Sequence, residues 1–209
     1  MLDARLPTYW PAACEHLTHH DRVMNRLIQA HPGVGLVSRG DAFATLARSV
    51  VGQQISVRAA QSVWDRVVAL MPEVTPHCVL ALDSQTLRAA GLSARKVEYL
   101  GDLARHFSEG RVHQEAWAVM DDEAIIDALV AIRGIGRWTA EMFLMFHLLR
   151  PDVLPLDDVG LLRGISRNYF SGEPVSRSEA REVASAWAPY RTVATWYIWR
   201  SLDPLPVSY

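Results

Sequence analysis

The sequence predicts an all-α protein. Three observations carry that prediction: apolar residues recur three and four apart along most of the chain, period-two alternation is scarce, and the breaks fall at glycine, proline and capping residues. At 209 residues the chain is long enough for one sizeable core, or for two small lobes that share one. The expected architecture is an irregular assembly of about nine or ten short helices rather than an up-and-down bundle. There are no internal repeats and no low-complexity linker.

The helical pattern begins near residue 8. Residues 41–70 follow with Asp41 as N-cap and an apolar stripe through Phe43, Leu46, Ala47, Val50, Val63, Val67 and Leu70. Residues 84–90 and 94–107 make a helical pair around Gly91-Leu92-Ser93, with Gly91 closing one helix and Ser93 opening the next. Residues 121–131, DDEAIIDALVA, begin acidic, as a helix N-terminus favours. Residues 138–149 are apolar on nearly all sides and predict a buried helix. Beyond Pro151 and Pro155, helical patterns return at 158–169, 177–187 and 189–202, with Pro189 as first residue of the last.

Composition bounds the function. Half of the residues are hydrophobic and 21% are charged, ordinary proportions for a globular protein. The net charge of −2 lacks the basic excess usual for a nucleic-acid binder, although a local patch suffices to neutralise a few phosphates. Cys14 and Cys78 form no C-x-x-C pair, which excludes a cysteine-ligated zinc or iron–sulfur site and gives no reason to expect an oxidising compartment. The N-terminus does not read as a signal peptide, and no stretch approaches ~18 apolar residues, so an intracellular protein without a membrane span is expected. The eight histidines read as surface or core residues rather than zinc ligands.

The most informative stretch is IRGIGRWTA at 132–140. A helix ending in Leu129-Val130-Ala131-Ile132-Arg133, a Gly134-Ile135-Gly136 turn and a new helix from Arg137 make a helix–hairpin–helix. The glycines permit positive φ and leave no Cβ in the way of an approaching backbone. The turn's amides, beside a helix N-terminus, make a phosphate site. Ile135 pins the turn to the core, while Arg133 and Arg137 add charge that positions but does not read bases. Taken alone, a bare Gly-Ile-Gly is better explained as a glycine-capped helix corner with two solvated arginines. Three other segments bear on the choice. VLPLDDVGLLRGI carries adjacent Asp157 and Asp158 at a helix start, where either is an ordinary cap. SVVGQQISVRAA holds the polar pair Gln53–Gln54 inside an apolar helix, and WAPYRTVATWYIW carries Trp187, Tyr190, Trp196, Tyr197 and Trp199 at core-like spacing.

In this order, with GLSARK at 91–96, these segments resemble the helix–hairpin–helix (HhH-GPD) DNA glycosylase superfamily and, within it, the 3-methyladenine DNA glycosylase II branch. The resemblance implies a two-lobed helical fold with the active-site cleft between lobes, here 41–150 and 1–40 plus 151–209. The N-terminal sheet domain of larger members is not expected. It implies a monomeric base-excision-repair enzyme that flips an alkylated purine, of the 3-methyladenine or 7-methylguanine type, out of duplex DNA and hydrolyses its N-glycosidic bond. Matching on the Asp-Val-Gly side makes Asp158 the catalytic carboxylate and leaves Asp157 as cap or support, although the offset from the proline alone does not separate them.

The same resemblance puts Gln54, with Gln53 beside it, into the gap the flipped base leaves. It assigns Ser56, Arg133, Gly134, Gly136, Arg137 and Thr139 to DNA, and Trp138, Met142 and Trp199 to the base pocket. An indole face attracts a cationic alkylpurine. Trp138 occupies the position that carries a lysine in strand-cutting members; without an amine no Schiff base forms, so a monofunctional enzyme leaving an abasic site is expected. No cofactor is required for the chemistry, and a sodium or potassium ion would sit on the backbone carbonyls of Val130, Ile132 and Ile135. Two rivals remain: a non-catalytic helix–hairpin–helix DNA-binding module, and a glycosylase for other modified bases such as hypoxanthine. A basic face would need Arg58, Arg95, Lys96, Arg133, Arg137 and Arg163 to converge.

Overall fold

Short helices with their own caps dominate the computed structural model, which describes residues 6–38 and 40–202. Among these are twelve α-helices, two 3-10 turns and no strand. They group into two compact units, one of described residues 6–38 and 144–202, the other of 40–143.

The 40–143 unit holds α3 (Ala42–Gly52), α4 (Val57–Val68), α5 (Pro76–Ala81), α6 (Ser84–Ala89), α7 (Ala94–Ser108), α8 (Asp122–Val130) and most of α9 (Arg137–Phe146). Asp41, Ser56, Thr75, Asp83, Ser93 and Asp121 each cap the helix they precede by accepting a first-turn amide. Such caps stop a helix from extending backwards and satisfy amides that have no intrahelical partner. The core is Phe43, Leu46, Val50, Leu100, Leu103, Ile125, Leu129 and Ile132, all at 2% exposure or less.

The other unit holds α1 (Trp10–His20), α2 (Arg22–Ala30), the end of α9, α10 (Val159–Tyr169), α11 (Arg177–Val183) and α12 (Arg191–Leu202). Trp10 meets Trp196 edge-on at 5.6 Å, and Leu17, Met24, Ile165, Trp187 and Ile198 are fully buried. Gly164 lets α10 lie against α12, because a Cβ there would overlap Ile198 Cγ2. Gly164→Ala is therefore expected to lower stability by about 1–3 kcal/mol, read as a drop in the urea midpoint. A variant within error of wild type would show that Ile198 simply moves aside.

The helical class is as expected, but four details differ. Residues 41–70 are two helices, because Gln53 ends α3, Gln54 turns left-handed at φ 58° and Ser56 caps α4. The helix expected at 138–149 ends at Phe146, with Leu149 at φ 53°. The one expected at 177–187 is α11 followed by a 3-10 turn, Ala184–Trp187. Pro189 does not open the last helix. The Ala188–Pro189 peptide is cis, and α12 starts at Arg191, whose amide is accepted by Asp152 at 3.1 Å. That cap comes from a residue 39 positions away, so no local pattern marks it. No helix among the described residues is long and apolar enough to cross a membrane.

Candidate functional site

In the unit containing α10 and α12, the loop after Pro151 delivers a buried carboxylate. Asp158 caps α10 and is 6% exposed. Its Oδ1 accepts two N–H donors, the Leu161 amide at 2.6 Å and the Trp199 indole at 2.9 Å. The Asp-Val-Gly spelling follows from this geometry. A Cβ on Gly160 would lie 3.0 Å from Asp158 Oδ1 and 3.3 Å from the Trp199 indole, close enough that the carboxylate or the indole would have to give by a few tenths of an ångström. Phe146 stacks in parallel on Trp199 at 5.9 Å and fixes the ring's plane. Asp157, by contrast, is exposed and pairs with Arg177 at 2.6 Å.

The loop is tied down at its start. Asp152 takes both Nε and Nη2 of Arg191 at 2.7 Å, a bidentate pair. The fully buried Thr192 hydroxyl donates to the Arg150 carbonyl at 2.6 Å and accepts the Val153 amide at 2.9 Å. Thr192→Val keeps the volume but removes both bonds and leaves the Val153 amide without that acceptor. A loss of about 1–3 kcal/mol is expected. A Tm equal to wild type would show that the two bonds carry no net stability.

The hairpin lies in the 40–143 unit. α8 ends at Val130, the Ile132 carbonyl accepts the Ile135 amide at 3.1 Å, and α9 starts at Arg137. Ile132 and Ile135 are 0% and 3% exposed and anchor the turn, as expected. The two glycines differ in kind. Gly134 has φ 86° and lies against Tyr99, whose ring a Cβ would overlap. At Gly136 a Cβ would meet nothing within 4 Å, so packing does not require glycine there. Open space at a glycine beside a helix N-terminus is what an approaching ligand backbone needs.

Side chains from the C-cap of α3 and from α7 hold this turn. Gln53 Nε2 donates to the Gly134 carbonyl at 2.8 Å, and Asp102 Oδ2 accepts the Arg133 amide at 3.0 Å. Burial of Asp102 opposes its ionisation, but the Arg133 amide, Arg105 and His106 outweigh it and hold the carboxyl below its ordinary value. Lys96 Nζ donates to the Val51 carbonyl at 2.7 Å, and burial lowers the pKa of its ammonium. Arg133 pairs with Glu98 at 3.4 Å; Arg137 pairs with Glu123 at 2.9 Å and with Glu141 at 3.1 Å. Three of the six cations expected to form a basic face are therefore paired with groups within the chain.

A cavity of about 250 Å³ opens between the α3–α4 turn and the first turns of α9. Trp138, Thr139 and Met142 line it with Gln53, Gln54 and the unforeseen Arg48, Ser49 and Gln61. Thr139 is 6% exposed, whereas Ser56 lies on the surface as the α4 cap, accepting the Ala59 amide. Ile55 and Val57, 41% and 57% exposed, are apolar side chains flanking Gln54. Trp199 is not among the lining residues; it belongs with Asp158. Two of the histidines do lie together at a spacing that zinc sites use: His16 and His20 are four apart on α1 and their rings stack at 4.1 Å. Parallel rings do not aim two lone pairs at one point, so the spacing alone makes no chelate.

Residues 47–189 match the HhH-GPD superfamily base excision DNA repair protein family. The chain belongs to that superfamily. A crystal structure of a DNA-3-methyladenine glycosidase from Bacillus halodurans is 35% identical, with a TM-score of 0.84 over 91% of this chain and 89% of that one. A 3-methyladenine DNA glycosylase from Schizosaccharomyces pombe, in complex with abasic DNA, is 29% identical, with a TM-score of 0.81 over 95% and 99%. DNA-3-methyladenine glycosylase 2 of Escherichia coli is 32% identical over 84% of this chain and 63% of its own. The HhH-GPD match includes the Gln53–Ser56 turn, the hairpin and Asp158 but stops at Pro189, ahead of α12. Within this superfamily member the place of Trp199 beside Asp158 therefore rests on the tertiary structure.

Proposed function

We propose that this HhH-GPD protein is a monofunctional DNA glycosylase that removes alkylated purines from duplex DNA and leaves an abasic site. The observation that carries the reading is the buried Asp158 carboxylate, held by Leu161 and Trp199 in a chain that also presents a glycine hairpin with open space at Gly136. The relatives described above are named for 3-methyladenine, and one is bound to abasic DNA.

In this reading the hairpin amides take a backbone phosphate, Gln54 fills the stack, and the base leaves the duplex at the usual cost of unstacking. The C1′–N bond breaks with its electron pair departing on the base, which alkylation has already made a good leaving group. Asp158 stabilises the positive charge that develops on the sugar and accepts the proton of the water whose oxygen bonds to C1′. Trp138 and Met142 offer an aromatic and a polarisable wall, and an indole face favours a cationic base. The residue at the lyase lysine position is Trp138, so the strand stays intact.

The main chain of the hairpin also suits a monovalent cation. The Ile132 carbonyl uses one lone pair on Ile135 and retains another, and the carbonyls of Val130 and Ile135 would complete the set. Such an ion would add positive charge opposite a phosphate.

The test is base release from methylated duplex DNA, followed by gel analysis with and without alkali. Released 3-methyladenine or 7-methylguanine, with strand breaks only after alkali, is expected. Breaks without alkali would overturn the monofunctional assignment, and DNA binding without release would leave the non-catalytic module. Gly136→Ala should leave the unfolding free energy within about 0.5 kcal/mol of wild type while weakening DNA binding. Unchanged affinity would remove Gly136 from the phosphate site.

A further inference from the structure

The turn that carries Gln54 is clamped to the hairpin by its neighbour. Gln53 ends α3 with an extended ψ of 134°, and its side chain crosses to the Gly134 carbonyl at 2.8 Å, a partner 81 residues away. The next residue, Gln54, is exposed and holds φ 58°, a conformation that side-chain-bearing residues adopt uncommonly. On the other side of the turn Ser56 caps α4, and just before it Lys96 holds the Val51 carbonyl at 2.7 Å. The hairpin end of the bond is equally constrained. Tyr99 fills the space over Gly134, and Asp102 takes the neighbouring Arg133 amide. A single amide hydrogen bond thus joins two rigid turns, one presenting backbone N–H groups and the other the side chain proposed to enter the duplex.

We propose that Gln53 is a positioning residue that couples the hairpin to the Gln54 turn, so that gripping the phosphate sets the depth and direction at which Gln54 enters the stack. The inference rests on the reading of Gln54 as the stack-filling residue. It assigns Gln53 a role distinct from touching DNA: its amide N–H faces protein, and it acts through Gln54. The side-chain length matters, because the bond anchors the Gln53 backbone, to which Gln54 is directly joined. Gln53→Glu is nearly isosteric but presents an acceptor to an acceptor, so it breaks the coupling without opening a cavity.

The experiment binds the full chain to a duplex holding a tetrahydrofuran abasic analogue with 2-aminopurine beside it. The fluorescence change reports insertion without any chemistry. Wild type, Gln53→Glu, Gln53→Ala, Gln54→Ala and the Gln53→Glu/Gln54→Ala double variant are compared, with Tm measured for each. Both Gln53 variants are expected to lose most of the fluorescence change and about tenfold in single-turnover base release, the size expected of one such hydrogen bond. The double variant should be no worse than Gln54→Ala alone, the non-additivity of residues acting as a unit.

Additive losses would overturn the proposal, since Gln53 would then act on DNA by itself. A lower Tm with the fluorescence change intact would also overturn it, leaving only a structural brace. Should the variants give the expected fluorescence pattern while wild type releases no base from methylated DNA, the glycosylase reading fails while the coupling stands.

Discussion

Asp158→Asn is expected to fold like wild type and to release methylated purines about 10²–10³-fold more slowly, the usual cost of deleting one preorganised electrostatic group. The structure makes this substitution unusually clean. The Leu161 amide and the Trp199 indole both donate to Oδ1, and an asparagine carbonyl can accept these two bonds, although more weakly than a carboxylate oxygen. The cap and the indole contact therefore survive, and the negative charge is what disappears. Asp157→Asn is the matched control. Asp157 is exposed and its pair with Arg177 is a surface ion pair, so a change below about 1 kcal/mol in stability and no change in base release are expected. Single-turnover release with Tm for each variant decides the matter. Full activity in Asp158→Asn, or a large loss confined to Asp157→Asn, would move the chemistry to another residue.

Asp21→Ala is expected to be the most damaging substitution for stability, at about 3–5 kcal/mol, with Asp21→Asn intermediate. Asp21 Oδ1 caps α2 through the amides of Val23 at 2.8 Å and Met24 at 3.0 Å. Its Oδ2 accepts the Tyr169 hydroxyl at 2.6 Å and the Trp187 indole N–H at 3.0 Å. One carboxylate thus ties the start of α2, the end of α10 and the 3-10 turn before α12. Burial and Asp21 together push the Tyr169 phenol well above its ordinary value, so it stays protonated and donates across the physiological range. Alanine would remove the cap and leave a half-buried phenol and the indole N–H of the buried Trp187 without that acceptor, a larger effect than cap loss alone. Urea unfolding of the three proteins tests the ranking. A cost under about 1 kcal/mol for alanine would mean that water replaces the carboxylate at little loss.

Caps and turns were legible because their causes are local. Asp41, Ser93 and Gly91 read correctly since a capping oxygen or a positive φ is a property of a few adjacent residues. The break at Gln53–Gln54 is masked because the apolar stripe of α3 continues in phase through Val63 and Val67, although Ser56 marks the start of α4 locally as its cap. Its cause is a carbonyl on Gly134, distant in sequence. Tyr99 and Asp102 escaped notice for the same reason: on α7 they are one aromatic and one acid among many, and only folding brings the hairpin to them. Arg48 carried a weak signal, one turn before Gly52 on the side that meets the polar pair.

The sequence by itself determined the helical class, the hairpin and its superfamily, and the pair of aspartates within which the candidate carboxylate lies, because periodicity, capping and motif order are encoded in neighbours. Motif matching favours Asp158, and the tertiary structure supplies the different surroundings of the two aspartates: Asp157 turns out to Arg177, while Asp158 receives an indole N–H from 41 residues away. It also turned the first glutamine of the pair inward and left the second exposed. Those choices depend on which distant donor or acceptor arrives at a buried polar group, and a single linear pattern does not carry that information.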